Sequence, residues 1–293
     1  MFLIESSSER KEMPGTLYLL PNLVSEGEAA DFLPASTLQT MRGIDRFLVE
    51  AAKTARAAIK AMGHPKPVSA LAIEEIGHDP DPAAVDRWLA PVLAGEDAAI
   101  LSESGCPGVA DPGAQIVARA HALGIRVRPL VGPSSILLAL MASGLDGQRF
   151  RFLGYLPIHE DERRDAIKAL EERSRASETQ LFIETPYRNT QMLASLLEAL
   201  SPATRLTVAT DITGKGESIR TLEVKAWRAL PEEARTLPKL PTVFALLAES
   251  AAAPRYAPEH ARRKGERRPE KCTPRGTRRH GGSAAKRANG RKP

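Results

Sequence analysis

Short apolar runs alternate with longer amphipathic stretches along this chain, and the alternation starts at Gly15. Thr16–Leu20 and Phe47–Glu50 read as strands, and Ala51–Met62 as a helix that Gly63 ends. Val68–Ile76 reads as a strand. In Asp79-Pro80-Asp81-Pro82, Asp81 suits the N-cap and Pro82 the first turn of a following helix. Ala98–Ser102 is a buried-strand candidate, Gly113–Leu123 a helix stopped at Gly124, Arg126–Leu130 a strand, and Ser134–Ser143 a helix stopped at Gly144. Strand–helix–strand alternation predicts a mostly parallel sheet covered by helices. The strands are apolar runs rather than strict alternations, as expected where both faces of a sheet are covered.

The second half changes character. Phe150–Leu156 reads as a strand, Glu160–Arg175 as a charged amphipathic helix, Gln180–Thr185 as a strand and Asn189–Leu200 as a helix. Arg205–Thr213, Glu217–Val224 and Thr242–Leu247 read as strands with little helix between them, which predicts a mixed sheet. The fold class expected is therefore α/β, with a mostly parallel N-terminal sheet and a mixed C-terminal one. The organisation expected is a flexible N-terminus over 1–13, α/β domains over 14–148 and 149–250, and a basic tail over 251–293. The tail lacks apolar periodicity and cannot bury enough surface to offset its ordering entropy, so it reads as disordered.

Charge sharpens that division. Of 41 Lys/Arg and 36 Asp/Glu, the tail holds 14 Lys/Arg against 3 Glu, leaving 27 against 33 in residues 1–250. The body is mildly acidic, and any field argument for nucleic-acid binding applies to the tail alone. Of the two cysteines, Cys106 lies in the body and Cys272 in the tail, which argues against a structural disulfide and fits a reducing compartment. The first residues lack the pattern of a secretory signal, and the most apolar segment, Ile136 to Ala142, is far short of the ~20 residues that a membrane helix needs. The expectation is a cytoplasmic protein with no membrane partner.

Three loops follow strands and carry the candidate chemistry, since ligands of open α/β sheets bind at the carboxyl ends of strands. The loop Ser102–Gly113, SESGCPGVADPG, holds three glycines and two prolines, and glycines let backbone approach a ligand closely. Val131-Gly132-Pro133-Ser134-Ser135 opens a helix; it reads equally as an anion site and as a plain N-cap. Glu184-Thr185-Pro186-Tyr187-Arg188-Asn189 gathers a carboxylate, a hydroxyl, a phenol and a guanidinium. No G-x-x-x-x-G-K-[ST], G-x-G-x-x-G, H-E-x-x-H or G-x-S-x-G motif is present; Gly214-Lys215-Gly216 lacks the spacing of a phosphate loop. No His or Cys pairs at metal spacing, so no metal site is expected.

Together these segments resemble the tetrapyrrole methylase family, nearest the branch that methylates the 2′-oxygen of a cytidine in bacterial 16S rRNA. The resemblance rests on SESGCPGVADPG (102–113), GPSSILLALMASGL (132–145), GYLP (154–157) and ETPYR (184–188), in that order. It implies two α/β domains with S-adenosylmethionine in the cleft between them, bound without the glycine signature of ordinary Rossmann methyltransferases. It implies cofactor contacts from Leu20 and Pro21; from Gly105, Cys106 and Val109; from Ser134, Ser135 and Ile136; and from Ile183. The family's glycine-bearing first loop is here Leu19-Leu20-Pro21-Asn22-Leu23, and Tyr187 stands where the family has His. A homodimer is part of the same implication.

Methyl transfer to a hydroxyl or NH needs alignment and a base. Glu184 and Asp111 are the base candidates. Asp111 could equally cap the helix at Gly113, and Arg188 could bind an acceptor anion or pair with Glu184. The leading functional expectation is S-adenosylmethionine-dependent methylation of RNA, with the tail holding phosphates. The alternatives are methylation of a tetrapyrrole or other small molecule, and a non-catalytic nucleic-acid-binding relative.

Overall fold

The structure, a computed structural model, describes residues 13–248. The expected basic tail, and the expected flexible N-terminus apart from Met13, lie outside the described residues.

The first half forms one sheet of five strands: β1 (Thr16–Leu20), β2 (Arg46–Val49), β3 (Ala72–Glu75), β4 (Ala98–Leu101) and β5 (Arg126–Pro129). Their order is β3-β2-β4-β1-β5, and every pairing is parallel. Parallel neighbours require crossovers, and helices supply them: α1 (Ala29–Phe32) and α2 (Ala35–Met41) after β1, α3 (Ala52–Ala61) after β2, α4 (Val85–Leu93) after β3 and α5 (Ala114–Ala122) after β4. Both faces of the sheet are buried. One packs Leu20, Phe47 and Leu101 against Met41 and Ile59; the other packs Leu17, Leu48 and Ile100 against Trp88, Leu89 and Ile116. This is why the strands read as unbroken apolar runs.

After β5 the chain enters α6 (Ser135–Ser143), and the second half follows: β6 (Phe150–Tyr155), α7 (Glu160–Ser174), β7 (Thr179–Glu184), α8 (Asn189–Ala199), β8 (Arg205–Thr210), β9 (Ser218–Glu223), α9 (Val224–Ala229), α10 (Glu232–Arg235) and β10 (Thr242–Leu247). The sheet order is β6-β7-β10-β8-β9; β6 and β7 are parallel and the other pairs antiparallel, so this sheet is mixed. On one face the Phe182 and Phe244 rings stack with centroids 5.4 Å apart, under α7, α8 and the buried Trp227. The Trp227 Nε1–H donates to the Leu206 carbonyl at 2.9 Å, so the indole brings no unpaired polar group into the core. The other face is covered by α6, whose Ile136, Ala139 and Leu140 lie on Leu181, Ala209, Val243 and Ala245.

Several local expectations need correction. The strand expected over Val68–Ile76 is a 3₁₀ turn at Val68–Ala70 followed by β3 alone, because Pro67 starts a turn in which the Ala70 N–H donates to its carbonyl. Residues 23–45 contain α1 and α2, both too short to show a periodic signal. The strand expected to reach Thr213 stops at Thr210, since Asp211 turns into the left-handed region at φ 50°. Two short helices, α9 and α10, separate β9 from β10. Asp81 caps as expected: its Oδ1 accepts the Ala83 N–H at 2.9 Å.

Candidate active site

The loops after β1, β4 and β5 come from three adjacent strands of the first sheet and all leave at its carboxyl end. Side chain and backbone lock them together. The Asn22 amide nitrogen donates to the carbonyls of Ser102 (3.2 Å) and Glu103 (3.1 Å), and the Asn22 N–H donates to the Gly105 carbonyl at 2.9 Å. Gly105 takes φ 70°, a conformation glycine adopts without strain. The Cys106 thiol donates to the Pro133 carbonyl at 3.5 Å. At Gly132 a Cβ would stand 2.4 Å from that of Pro21, so only glycine lets the third loop lie on the first. Ala110 sits at φ 58°, an uncommon angle for a residue with a side chain, within the β4 loop.

Opposite these loops lies one end of the second sheet. Thr242 of β10 is in register with Glu184 of β7 and Thr210 of β8, so the ends of β7 and β8 and the start of β10 meet. Between the two walls is a cavity of about 330 Å³. Of the residues expected at the site, Val109, Asp111, Ser135, Ile136, Ile183 and Glu184 line it. Leu20, Pro21, Gly105, Cys106, Ser134 and Arg188 do not. Leu20 is fully buried in the core. Ser134 caps α6, its Oγ accepting the Leu137 N–H at 3.5 Å. Val24, Ala209 and Thr242 line the cavity without having been singled out, and Tyr155 does so from the GYLP segment.

The cavity is acidic. Glu103, Asp111 and Glu184 line it, and no Lys, Arg or His does. Burial pushes the Asp111 carboxyl up to about 6; the Ser102 hydroxyl opposes the shift, the charges of Glu50 and Glu103 add to it, and His78 opposes it. The N-cap of α5 is Gly113, and no side chain caps the helix, so Asp111 does not serve as one. Burial also pushes the Cys106 thiol up, which leaves it a poor nucleophile.

Glu184 and Arg188 pair with each other. Arg188 donates from Nη2 to both carboxylate oxygens at 2.7 Å and from Nε to Oε1 at 3.0 Å, and the Thr185 N–H donates to Oε1 at 2.6 Å. The Glu184 side chain is 1% exposed and that of Arg188 24%. Glu184 and Arg188 thereby form a compensated ion pair in the cavity wall, with the carboxylate oxygens already engaged.

Among the described residues no group of His, Cys, Asp and Glu could hold a metal ion, and no helix is long and apolar enough to cross a membrane.

Comparison with known proteins places this architecture. A stretch of 146 residues is 36% identical to ribosomal RNA small subunit methyltransferase I of Pseudomonas aeruginosa, covering 49% of this chain and 51% of that protein, about half its length. The like-named protein of Xylella fastidiosa strain Temecula1 is 31% identical over 206 residues, 70% of this chain and 71% of the relative. The crystal structure of the methyltransferase CobJ superposes with a TM-score of 0.53 at 18% identity, over 83% of this chain and 98% of that one, which speaks to the fold. The family described as tetrapyrrole (corrin/porphyrin) methylases matches residues 31–226, more than half of the chain. With that span and these relatives, the chain belongs to the tetrapyrrole methylase family.

Proposed function

We propose that this protein transfers a methyl group from S-adenosylmethionine to RNA of the small ribosomal subunit, at the 2′-oxygen of a cytidine, from the cavity between the two sheets. The observation that carries the proposal is the character of that cavity: three carboxylates, no basic side chain and apolar walls from Val109, Ile136, Ile183 and Val243. Such a donor set fits a ligand with a positive sulfonium and an uncharged aromatic base, and its volume lies within the ~300–1,000 Å³ of ordinary ligand pockets. Methyltransferases of this family use S-adenosylmethionine. The RNA acceptor rests on the two relatives named as ribosomal RNA methyltransferases.

When bound, S-adenosylmethionine supplies an electrophilic methyl group on a leaving group that departs neutral. The chain then has two tasks. Glu103 and Asp111 hold a cationic centre by charge, most effectively where water is excluded. Asp111 is the group that accepts the proton of the attacking hydroxyl: its carboxyl, at about 6, is half-buried and poised near neutral pH. Glu184, whose oxygens already hold Arg188 and Thr185, shapes the cavity wall as half of an ion pair. The homodimer belongs to the same proposal; Leu137 and Met141, exposed one turn apart on α6, are apolar residues that a second copy would cover, and sedimentation of the full chain tests it.

The test is calorimetric titration of the full chain with S-adenosylmethionine, then transfer of a tritiated methyl group to small ribosomal subunits lacking the modification. Micromolar binding and label in the RNA are expected. Binding without label, but with label in a porphyrinoid, would shift the acceptor to a small molecule; no binding would remove the methyl-transfer reading of the cavity.

A further inference from the structure

We propose that Lys215 seats the acceptor strand by holding one of its phosphates beside the donor cavity. The inference rests on the RNA reading above and deepens it.

A second cavity, of about 570 Å³, adjoins the first: Val24, Glu103, Ser104 and Pro241 line both. The donor cavity carries carboxylates and no basic side chain in its lining, so a polyanionic acceptor approaching it meets repulsion unless a cation offsets it. Lys215 is the only basic side chain among the residues that line either cavity. It is exposed and forms no ion pair among the described residues.

The segment that carries Lys215 is built and held, not slack. It leaves β8 at Thr210 and turns through two left-handed residues with side chains, Asp211 (φ 50°) and Thr213 (φ 69°). For a β-branched residue such as Thr213 that angle is a strained outlier, and such strain persists only where the surroundings impose it. Here they do. The Asp211 N–H donates to the Pro241 carbonyl at 2.9 Å, and the Gly214 N–H to the Asp211 carbonyl at 2.8 Å. The Asp211 carboxylate accepts the Gly216 N–H at 2.7 Å, and that of Glu217 accepts the Thr213 N–H at 2.8 Å. Asp211 also fills the space at Gly214, where a Cβ would fall 2.2 Å from its Oδ1. Finally, the Ser25 hydroxyl donates to the Ile212 carbonyl at 2.8 Å, tying this loop to the one after β1. The buried Asp211 carboxylate is thus engaged within the loop, while the lysine between two glycines lines the second cavity as its one cation, beside Glu26 and Glu103. An ammonium on a flexible stem binds phosphate as a point charge, with no demand for the spacing of a phosphate loop.

The experiment compares the full-length parent with Lys215→Gln and Lys215→Arg, using small ribosomal subunits and S-adenosylmethionine as probes. Lys215→Gln should raise KM for the RNA about 10- to 150-fold, the range for one charge-assisted hydrogen bond, with S-adenosylmethionine affinity unchanged. The slope of log affinity for RNA against log salt should fall by roughly 0.7–0.9, the value of one lost phosphate contact. Lys215→Arg should restore most of both. If the parent methylates RNA but Lys215→Gln keeps its KM and its salt slope, the assignment of Lys215 is overturned. If the parent transfers no methyl to RNA, the functional reading itself fails, and this inference with it.

Discussion

The pair Glu184–Arg188 gives the sharpest stability prediction. Arg188→Met keeps the length of the side chain but removes three of the four hydrogen bonds that the Glu184 carboxylate accepts. The carboxylate is 1% exposed, so what remains is a charge in the wall of the molecule with a single backbone partner. Removing one member of a buried pair costs about 3–5 kcal/mol. Arg188 is a quarter exposed, so water can partly fill its place, and the lower end, ~3 kcal/mol, is expected. At ~2–4 °C per kcal/mol for a chain of this size, the melting temperature should drop by about 6–12 °C. Urea denaturation of the full chain, followed by far-ultraviolet circular dichroism, measures the free energy directly. The decisive companion is Glu184→Leu with Arg188→Met, in which no lone charge is left; the double variant should recover at least half of the loss. A cost under ~1 kcal/mol for Arg188→Met, or a double variant no better than the single, would refute the view that Arg188 exists to neutralise Glu184.

Two further outcomes follow from the site. For Asp111 the folded carboxyl, at about 6, lies above its ordinary value of 3.8, so the native state holds the proton more tightly than the unfolded chain. Stability therefore falls as pH rises between those values, and the penalty is complete above about pH 6; Asp111→Asn should melt higher than the parent near pH 7.5 and equally near pH 3.5, while methyl transfer to RNA is lost, and an equal gain at both pH values would contradict the assignment of the shift. Gly132→Ala places a Cβ 2.4 Å from that of Pro21, forcing the first and third loops apart; a loss of ~1–3 kcal/mol, as for overpacking, with weaker S-adenosylmethionine binding in the same calorimeter, is expected, and parent-like affinity would show that the contact does not shape the cavity.

The architecture was legible because its strands are covered on both faces. Ala98–Leu101 and Thr242–Leu247 read as unbroken apolar runs, and glycines at 63, 124 and 144 mark where helices stop. The short helices α1, α2, α9 and α10 were not legible: none exceeds seven residues, and their placement comes from packing rather than from period. At the site, the loops were readable from their glycines and their place after strands, but not which of their residues face the ligand. Leu20 ends β1 and Val24 lies four residues on in the loop; Leu20 enters the core and Val24 the cavity, and nothing in local composition separates them. Arg188 allowed either an anion site or a pair with Glu184; only the 3₁₀ turn at Pro186–Arg188, which swings the guanidinium back over the carboxylate, decides between them.

The position of α6 sets where the two halves can hinge. This helix follows directly from the last strand of the parallel sheet, yet its Ile136, Ala139 and Leu140 are buried on Leu181, Ala209, Val243 and Ala245 of the other sheet, and Thr221 of β9 donates to the Ser143 carbonyl at 2.8 Å. Parting the helix from that sheet would strip the apolar contact and expose it to water, so a hinge between the halves falls ahead of α6, in residues 130–134. Across the cleft, the Ser25 hydroxyl of the loop after β1 holds the Ile212 carbonyl of the turn that bears Lys215. The second sheet and α6 therefore form one body, latched to the parallel sheet by that hydroxyl.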